Sequence, residues 1–439
     1  MSGILWIVAT SGGQHLFVRE VLGEAFDSQA EHLLRGDAGI DLEAIRPEAM
    51  IVNGKIRTYF GPFPALIRIP LNLVYPAGRG MWSRLSGFCA GIVALSVFAG
   101  LVADSLRFSP LSPNARNWLG NACVIGFVLG TPLLFLIGSL SIFNESIIWA
   151  LAWSVSALFF AARAWKSEGR KLTVSLFGFG FSAAAALLSR VTFGIPLFLI
   201  APILLFRVWR QGWIRLAALV GPLAVGLAFH LLLSYARFGN FVGIDYESYI
   251  NPVHLTFVRQ HGMLNLDRAP HSFADYFSLR PPVFRSHAPF VQVDRHPLPY
   301  PSLFSLPNTE TYVSLSWSAG WLVLGALFGF FYLFRSRRAD WFQRAMATAL
   351  FVEFLLILCH FALAQRYMVE LLPFLVFCLA VFLRNGGTIV HRTAIIALVV
   401  VSAAVNSLGT AFWLSNDGNQ PRETRVFWSI LAGKTPPAK

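Results

Sequence analysis

Asp27, near the head of the stretch FDSQAEHLLRGD, is the first residue of this chain whose type and setting suit chemistry. It stands just past a short apolar segment and opens a run with apolar residues on one helical side and charges on the other. A carboxylate beside a partly dehydrated surface can hold a pKa suited to taking a proton from a hydroxyl. Capping the helix that follows is an equally good use of Asp there. Asn144-Glu145 is a second acidic position, immediately before an apolar run. An ionisable group at the end of a span is a functional candidate, while capping against the helix dipole is the plainer use of Glu. Arg190, in LLSRVTFGIP, and Arg366-Tyr367, in QRYMVELLPFL, lie in tight turns between apolar runs. A guanidinium held at that depth can grip a phosphate bidentately or snorkel to lipid headgroups. Lys55, Arg57 and Tyr59 form a basic-aromatic entry to the Pro-punctuated stretch that follows. They suit an anionic lipid head or simple anchoring at the interface.

Other chemistries find little support. There is no Walker loop, no Gly-rich dinucleotide fingerprint and no Ser nucleophile elbow. His261, Asp267, His271, His287, Asp294 and His296 share one polar segment without metal-ligand spacing. A divalent metal is possible, because Asp27 and Glu145 are hard oxygen ligands, but nothing in the sequence requires one or any other cofactor. Glu353 and His360 share a helical face and, with His230, lie inside apolar runs. They could relay protons, although interhelical hydrogen bonding is the commoner use.

The elements that must position these residues are membrane helices. Hydrophobic residues make up 56% of the 439 and charged residues only 13%, where a soluble domain carries about a quarter charged. The net charge of +13 comes from cations clustered in short gaps between apolar runs, a positive-inside pattern that argues against nucleic acid as a partner. All four cysteines fall in apolar runs and read as small buried residues. Apolar runs near 85–105, 118–142, 146–164, 172–189, 191–207, 213–235, 314–334, 343–362, 367–383 and 393–414, with a short N-terminal segment, predict about eleven spans. That first segment is short unless it continues through Thr10 to Gly13 or the natural start lies upstream. The basic connections Arg163–Lys171, Arg207–Arg215, Arg335–Arg344 and Arg384–Arg392 belong on the cytoplasmic side. The chain is then one transmembrane domain, 1–439, with outside loops at 12–84 and 237–312. The alternation works only if 62–76 lies in the interface instead of spanning. Gly178, Gly180 and Ala183–Ala186 read as small residues that let helices approach closely.

This arrangement resembles the GT-C membrane glycosyltransferases, the superfamily of lipid A aminoarabinose transferases and protein O-mannosyltransferases. FDSQAEHLLRGD, GKIRTYFGPFPALIRIP, LLSRVTFGIP, YARFGNFVGIDYES and QRYMVELLPFL are similar, in order along most of the chain, to stretches shared by uncharacterised bacterial members. The resemblance implies an all-α GT-C-like fold in a bacterial inner membrane, with its site facing the periplasm. It implies a polyprenyl-phosphate-linked sugar donor, membrane lipids as surroundings, and an envelope lipid, glycan or protein as acceptor. By position, Asp27 resembles the catalytic carboxylate of the first loop and Asn144-Glu145 the second acidic position. Arg190 and Arg366 match basic positions near the donor phosphate. The departures are the short first helix, the register of Glu145 and the lack of a large soluble domain after the membrane part. The alternatives are a transporter or flippase for a lipid-linked sugar, which needs a polar path through the bundle, or a non-catalytic homologue.

Overall fold

The computed structural model describes residues 1–241, 243, 248–293, 308–336 and 340–435. Asp294 and His296, singled out above, and most of GIDYE at the end of YARFGNFVGIDYES lie outside them. The fold is an all-α polytopic membrane protein. Among the described residues, Ser83–Arg107, Ile142–Lys166, Gly169–Ser189, Val191–Val208, Trp213–Phe238, Trp341–Leu358, Gln365–Asn385 and Ile389–Asn416 are long and apolar enough to cross a membrane.

The remaining expected runs are helical but shorter. The run 118–142 divides into Pro113–Leu129 and Leu133–Gly138. Gly130 ends the first helix, and Pro132 starts the next without an amide to donate backwards. The second run, Gly320–Arg335, has 16 residues. Finally, the first helix, Ser2–Ala9, does not continue to Gly13, because Ser11, Gly12 and Gly13 take positive φ and turn the chain away.

Close helix packing follows from the small residues. A Cβ on Gly180 would sit 2.6 Å from the Leu219 carbonyl oxygen, and one on Gly226 would sit 2.5 Å from the Ala184 Cβ. These contacts seat Trp213–Phe238 tightly on Gly169–Ser189.

The basic connections gather at one end of the bundle. Arg163 pairs with Asp104, the Arg207 guanidinium donates to the Ala164 and Ser167 carbonyls, and the Trp165 indole donates to Asp340. Lys166 and Arg384 both stand over the Phe108 ring. Since successive helices alternate in direction, the tight turns at Arg190 and Arg366 and the start of Ile142–Lys166 fall at the other end.

Residues 25–74 form a small layer on that other end, while helix Ser2–Ala9 packs into the bundle against Ser83–Arg107. Helix Ala25–Leu34 packs on helix Phe63–Val74, and the hairpin Met50–Val52/Lys55–Arg57 joins them. Asn53 and Gly54 have φ of 51° and 73°, as a tight two-residue hairpin turn requires. Phe63–Val74 has 12 residues, about 18 Å of helix, well short of the roughly 30 Å of hydrocarbon. It buries Pro64, Ala65 and Arg68 and leaves Leu73 and Val74 exposed. That is the shape expected of an interfacial segment.

Candidate functional site

Arg68 is the centre of the site. It lies on the buried stripe of Phe63–Val74 with no exposed surface. Its Nη2 donates to Glu145 Oε2 at 2.8 Å and to Ser83 Oγ at 3.2 Å, and its Nε lies 3.4 Å from Asp27 Oδ2. One guanidinium thus bridges the two acidic positions, and both carboxylates are fully buried. Asp27 also accepts from Asn72 Nδ2 at 2.8 Å and from the Gly80 amide at 3.2 Å. Asn72 is fixed in turn by the Trp82 indole, 2.8 Å from its Oδ1.

Neither acid makes a capping hydrogen bond, although both stand in the first turn of their helices, where the dipole favours a carboxylate. Helix Ala25–Leu34 begins ahead of Asp27, and Ser141 caps Ile142–Lys166 by accepting from the Asn144 amide. Asn144 donates to the Ser139 carbonyl at 2.5 Å. Burial pushes the Asp27 carboxyl above its usual range, against the pull of Arg68, Asn72 and Gly80, and Glu145 adds to the rise. A carboxylate raised in this way is a better proton acceptor near neutrality than a solvated one.

A second polar group stands beside the first. Arg190 Nη2 is 2.7 Å from Glu370 Oε1, and the Thr192 hydroxyl donates to Glu370 Oε2. Arg366 makes a two-pronged pair with Glu310, at 2.6 and 2.9 Å. The Tyr367 ring lies 5.4 Å from the Arg190 guanidinium and 5.2 Å from that of Arg366. Phe143 joins the two groups: its ring meets Phe60 at 5.4 Å, and Arg366 stands 4.6 Å above it. Gly61 presses on the Leu188 and Ser189 carbonyl oxygens, next to Arg190. Phe60, whose carbonyl accepts from Arg237 at 3.0 Å, therefore sits between the groups.

The remaining expected residues divide. Arg57 is buried against Asp37 at 3.1 Å, and Tyr59 donates to Glu48 at 2.6 Å while stacking on Phe60. Lys55 is exposed on the hairpin beside the Asn53-Gly54 turn. Glu353 is buried near Glu370 and Arg190, and the His360 ring lies 4.8 Å from that of Tyr367. Burial and the neighbouring Arg190 push His360 down to about 3, so its ring is neutral. Glu353 and His360 therefore belong to the same end of the bundle as the acids.

As for a metal, the guanidinium of Arg68 already stands between Asp27 and Glu145. Among the described residues no cluster of three or more His, Cys, Asp or Glu side chains offers a metal site. With Arg68 in place the donor set does not fit a divalent ion.

Arg68, Asn72, Glu310 and Glu370 were not among the residues expected from the sequence. For Arg68 a signal was present: a lone cation spaced three and four residues from Ala65 and Pro64, inside the apolar stripe of an amphipathic helix.

No family model matches the chain, and no curated protein matches it in sequence. Two solved structures are similar in overall shape, both of ArnT from Cupriavidus metallidurans. The structure bound to undecaprenyl phosphate is 15% identical, over 98% of this chain and 68% of that one, with a TM-score of 0.47. The apo structure is 14% identical, over 98% and 67%, with a TM-score of 0.46.

Proposed function

We propose that this chain is an integral-membrane glycosyltransferase of the GT-C type. It takes a sugar from a polyprenyl-phosphate donor and passes it to an envelope lipid, glycan or protein at the periplasmic face of a bacterial inner membrane. The observation that carries this is the union of Asp27 and Glu145, 118 residues apart in sequence, on the buried guanidinium of Arg68. Arg190, Arg366 and Tyr367 stand at the same end of the bundle.

A sugar held through phosphate already has a good leaving group. Catalysis then needs a base for the acceptor hydroxyl and cations for the departing phosphate. Asp27 is the base in this scheme, and Arg190 and Arg366 are the cations, released from Glu370 and Glu310 as the donor phosphate arrives. Lys55 would meet the anionic lipid head at the entry, with Tyr59 and the Asp37-bound Arg57 behind it. A single displacement inverts the anomeric centre. Of His230, Glu353 and His360, which a flippase path would use, the last two gather at this same end and His230 lies half-buried in Trp213–Phe238 with Arg237 as its charged neighbour, which argues against such a path.

The test is transfer by the purified protein from synthetic undecaprenyl-phosphate sugars, with the product anomer read by NMR. An inverted product supports the mechanism. A retained anomer removes the single displacement, and no transfer from any donor of this class removes the function.

A further inference from the structure

We propose that a second site, apart from the Asp27–Arg68–Glu145 group, binds the phosphate headgroup of an anionic membrane lipid. It is a cavity of about 350 Å³ lined by Arg285, His287, Phe290, Gln292, Phe412 and Lys434, among others. Segments far apart in the chain meet there: the short hairpin Val283–Phe284/Val291–Gln292, the end of helix Ile389–Asn416, and the chain after helix Arg422–Leu431.

Arg68, Arg84, Arg190 and Arg366 each have a carboxylate within 4 Å. The cations of this cavity have neutral partners among the described residues, as Arg207 and Arg237 also do, but here they line an open cavity. Lys434 Nζ donates to Ser415 Oγ at 3.1 Å and to Asn416 Oδ1 at 3.0 Å, and it stands 5.1 Å over the Phe412 ring. Arg285 Nε donates to Gln292 Oε1 at 2.8 Å, and among the described residues no carboxylate pairs with its guanidinium. Asp417, the nearest acid along the helix, accepts from Gln420 instead. Among the described residues the cations are therefore oriented by neutral partners, as an oxyanion site requires.

The walls name the carrier of that oxyanion. Phe290, Val291 and Phe412 form an apolar side, and Phe284, Ile430 and Leu431 are exposed on the hairpin and helix that bound the cavity. Apolar side chains beside these cations, at the end of a membrane-spanning helix, suit a phosphate that arrives with a hydrocarbon tail.

The experiment is native mass spectrometry of the detergent-purified full chain, titrated with phosphatidylglycerol or phosphatidylcholine. The double variant R285Q/K434Q is compared with R170Q/K171Q, which removes cations at the opposite end. We expect one retained phosphatidylglycerol whose affinity falls roughly 30-fold in R285Q/K434Q and is unchanged in R170Q/K171Q. Phosphatidylcholine is not retained, and millimolar inorganic phosphate does not displace the lipid. Equal binding by R285Q/K434Q overturns the site, and displacement by inorganic phosphate overturns the lipid as its ligand. Arg285 is exposed and Lys434 half-buried, and an unchanged size-exclusion profile confirms that the fold is kept.

Discussion

Replacing Arg68 by Met removes the cation that two buried carboxylates share. Asp27 keeps its bonds from Asn72 and Gly80, but Glu145 loses its hydrogen-bond donor, because its other oxygen has none. Breaking a buried ion pair from one side costs about 3–5 kcal/mol, and most of that loss should fall on Glu145. The loss depends on pH with a definite sign. The Asp27 carboxyl already titrates above its free-chain value of 3.8, with Arg68 the strongest influence holding it down. A carboxyl raised in the folded state contributes stability below the free-chain value and loses it as pH climbs through the folded one. Removing Arg68 widens that interval. R68M should therefore unfold several degrees below the parent protein near neutrality, and the gap should shrink at acid pH as the carboxyls take up protons. The double variant R68M/E145Q should recover part of the loss, since it removes the unpaired charge. Intrinsic tryptophan fluorescence in detergent, recorded during heating at about pH 5 and about pH 8, measures all three proteins. A variant as stable as the parent at the higher pH would refute the triad, and so would an equal loss at both.

Two further outcomes follow from the same geometry. Transfer should rise with pH through a value above the ordinary carboxylate range, because burial raises Asp27 and the base must be ionised to act. Initial rates across pH check this, and a limb at the usual carboxylate value would contradict it. Gly61→Ala should destabilise the protein by about 1–3 kcal/mol, because the new methyl meets the Leu188 and Ser189 carbonyl oxygens. It should also disturb Phe60 and hence transfer, measured by thermal unfolding alongside the transfer rate.

How much of this was legible in the sequence differs by element. The helices were, because apolar runs of span length allow few alternatives in a bilayer. The end that holds the basic connections was legible too, from the cations of Arg163–Lys171 and Arg384–Arg392. The break at Gly130–Pro132 was not anticipated, because hydropathy is continuous across it. Asp27 and Glu145 stood out as acids beside apolar runs, but their sequence spacing says nothing of a shared partner. That partner emerges only when Phe63–Val74 packs against Ala25–Leu34 and Ile142–Lys166 and turns Arg68 inward. The carboxylates on Arg190 and Arg366 were invisible for the same reason: Glu310 comes from the far end of a long loop, and Glu370 hides within an apolar run.

The most direct measurement of the central proposal is the sugar composition of envelope glycans in a strain of the source organism lacking this chain. Mass spectrometry should find one sugar missing, restored by the parent sequence and not by Asp27→Asn expressed at the same level in the membrane. Glycans unchanged by the deletion, or fully restored by Asp27→Asn, would contradict the account.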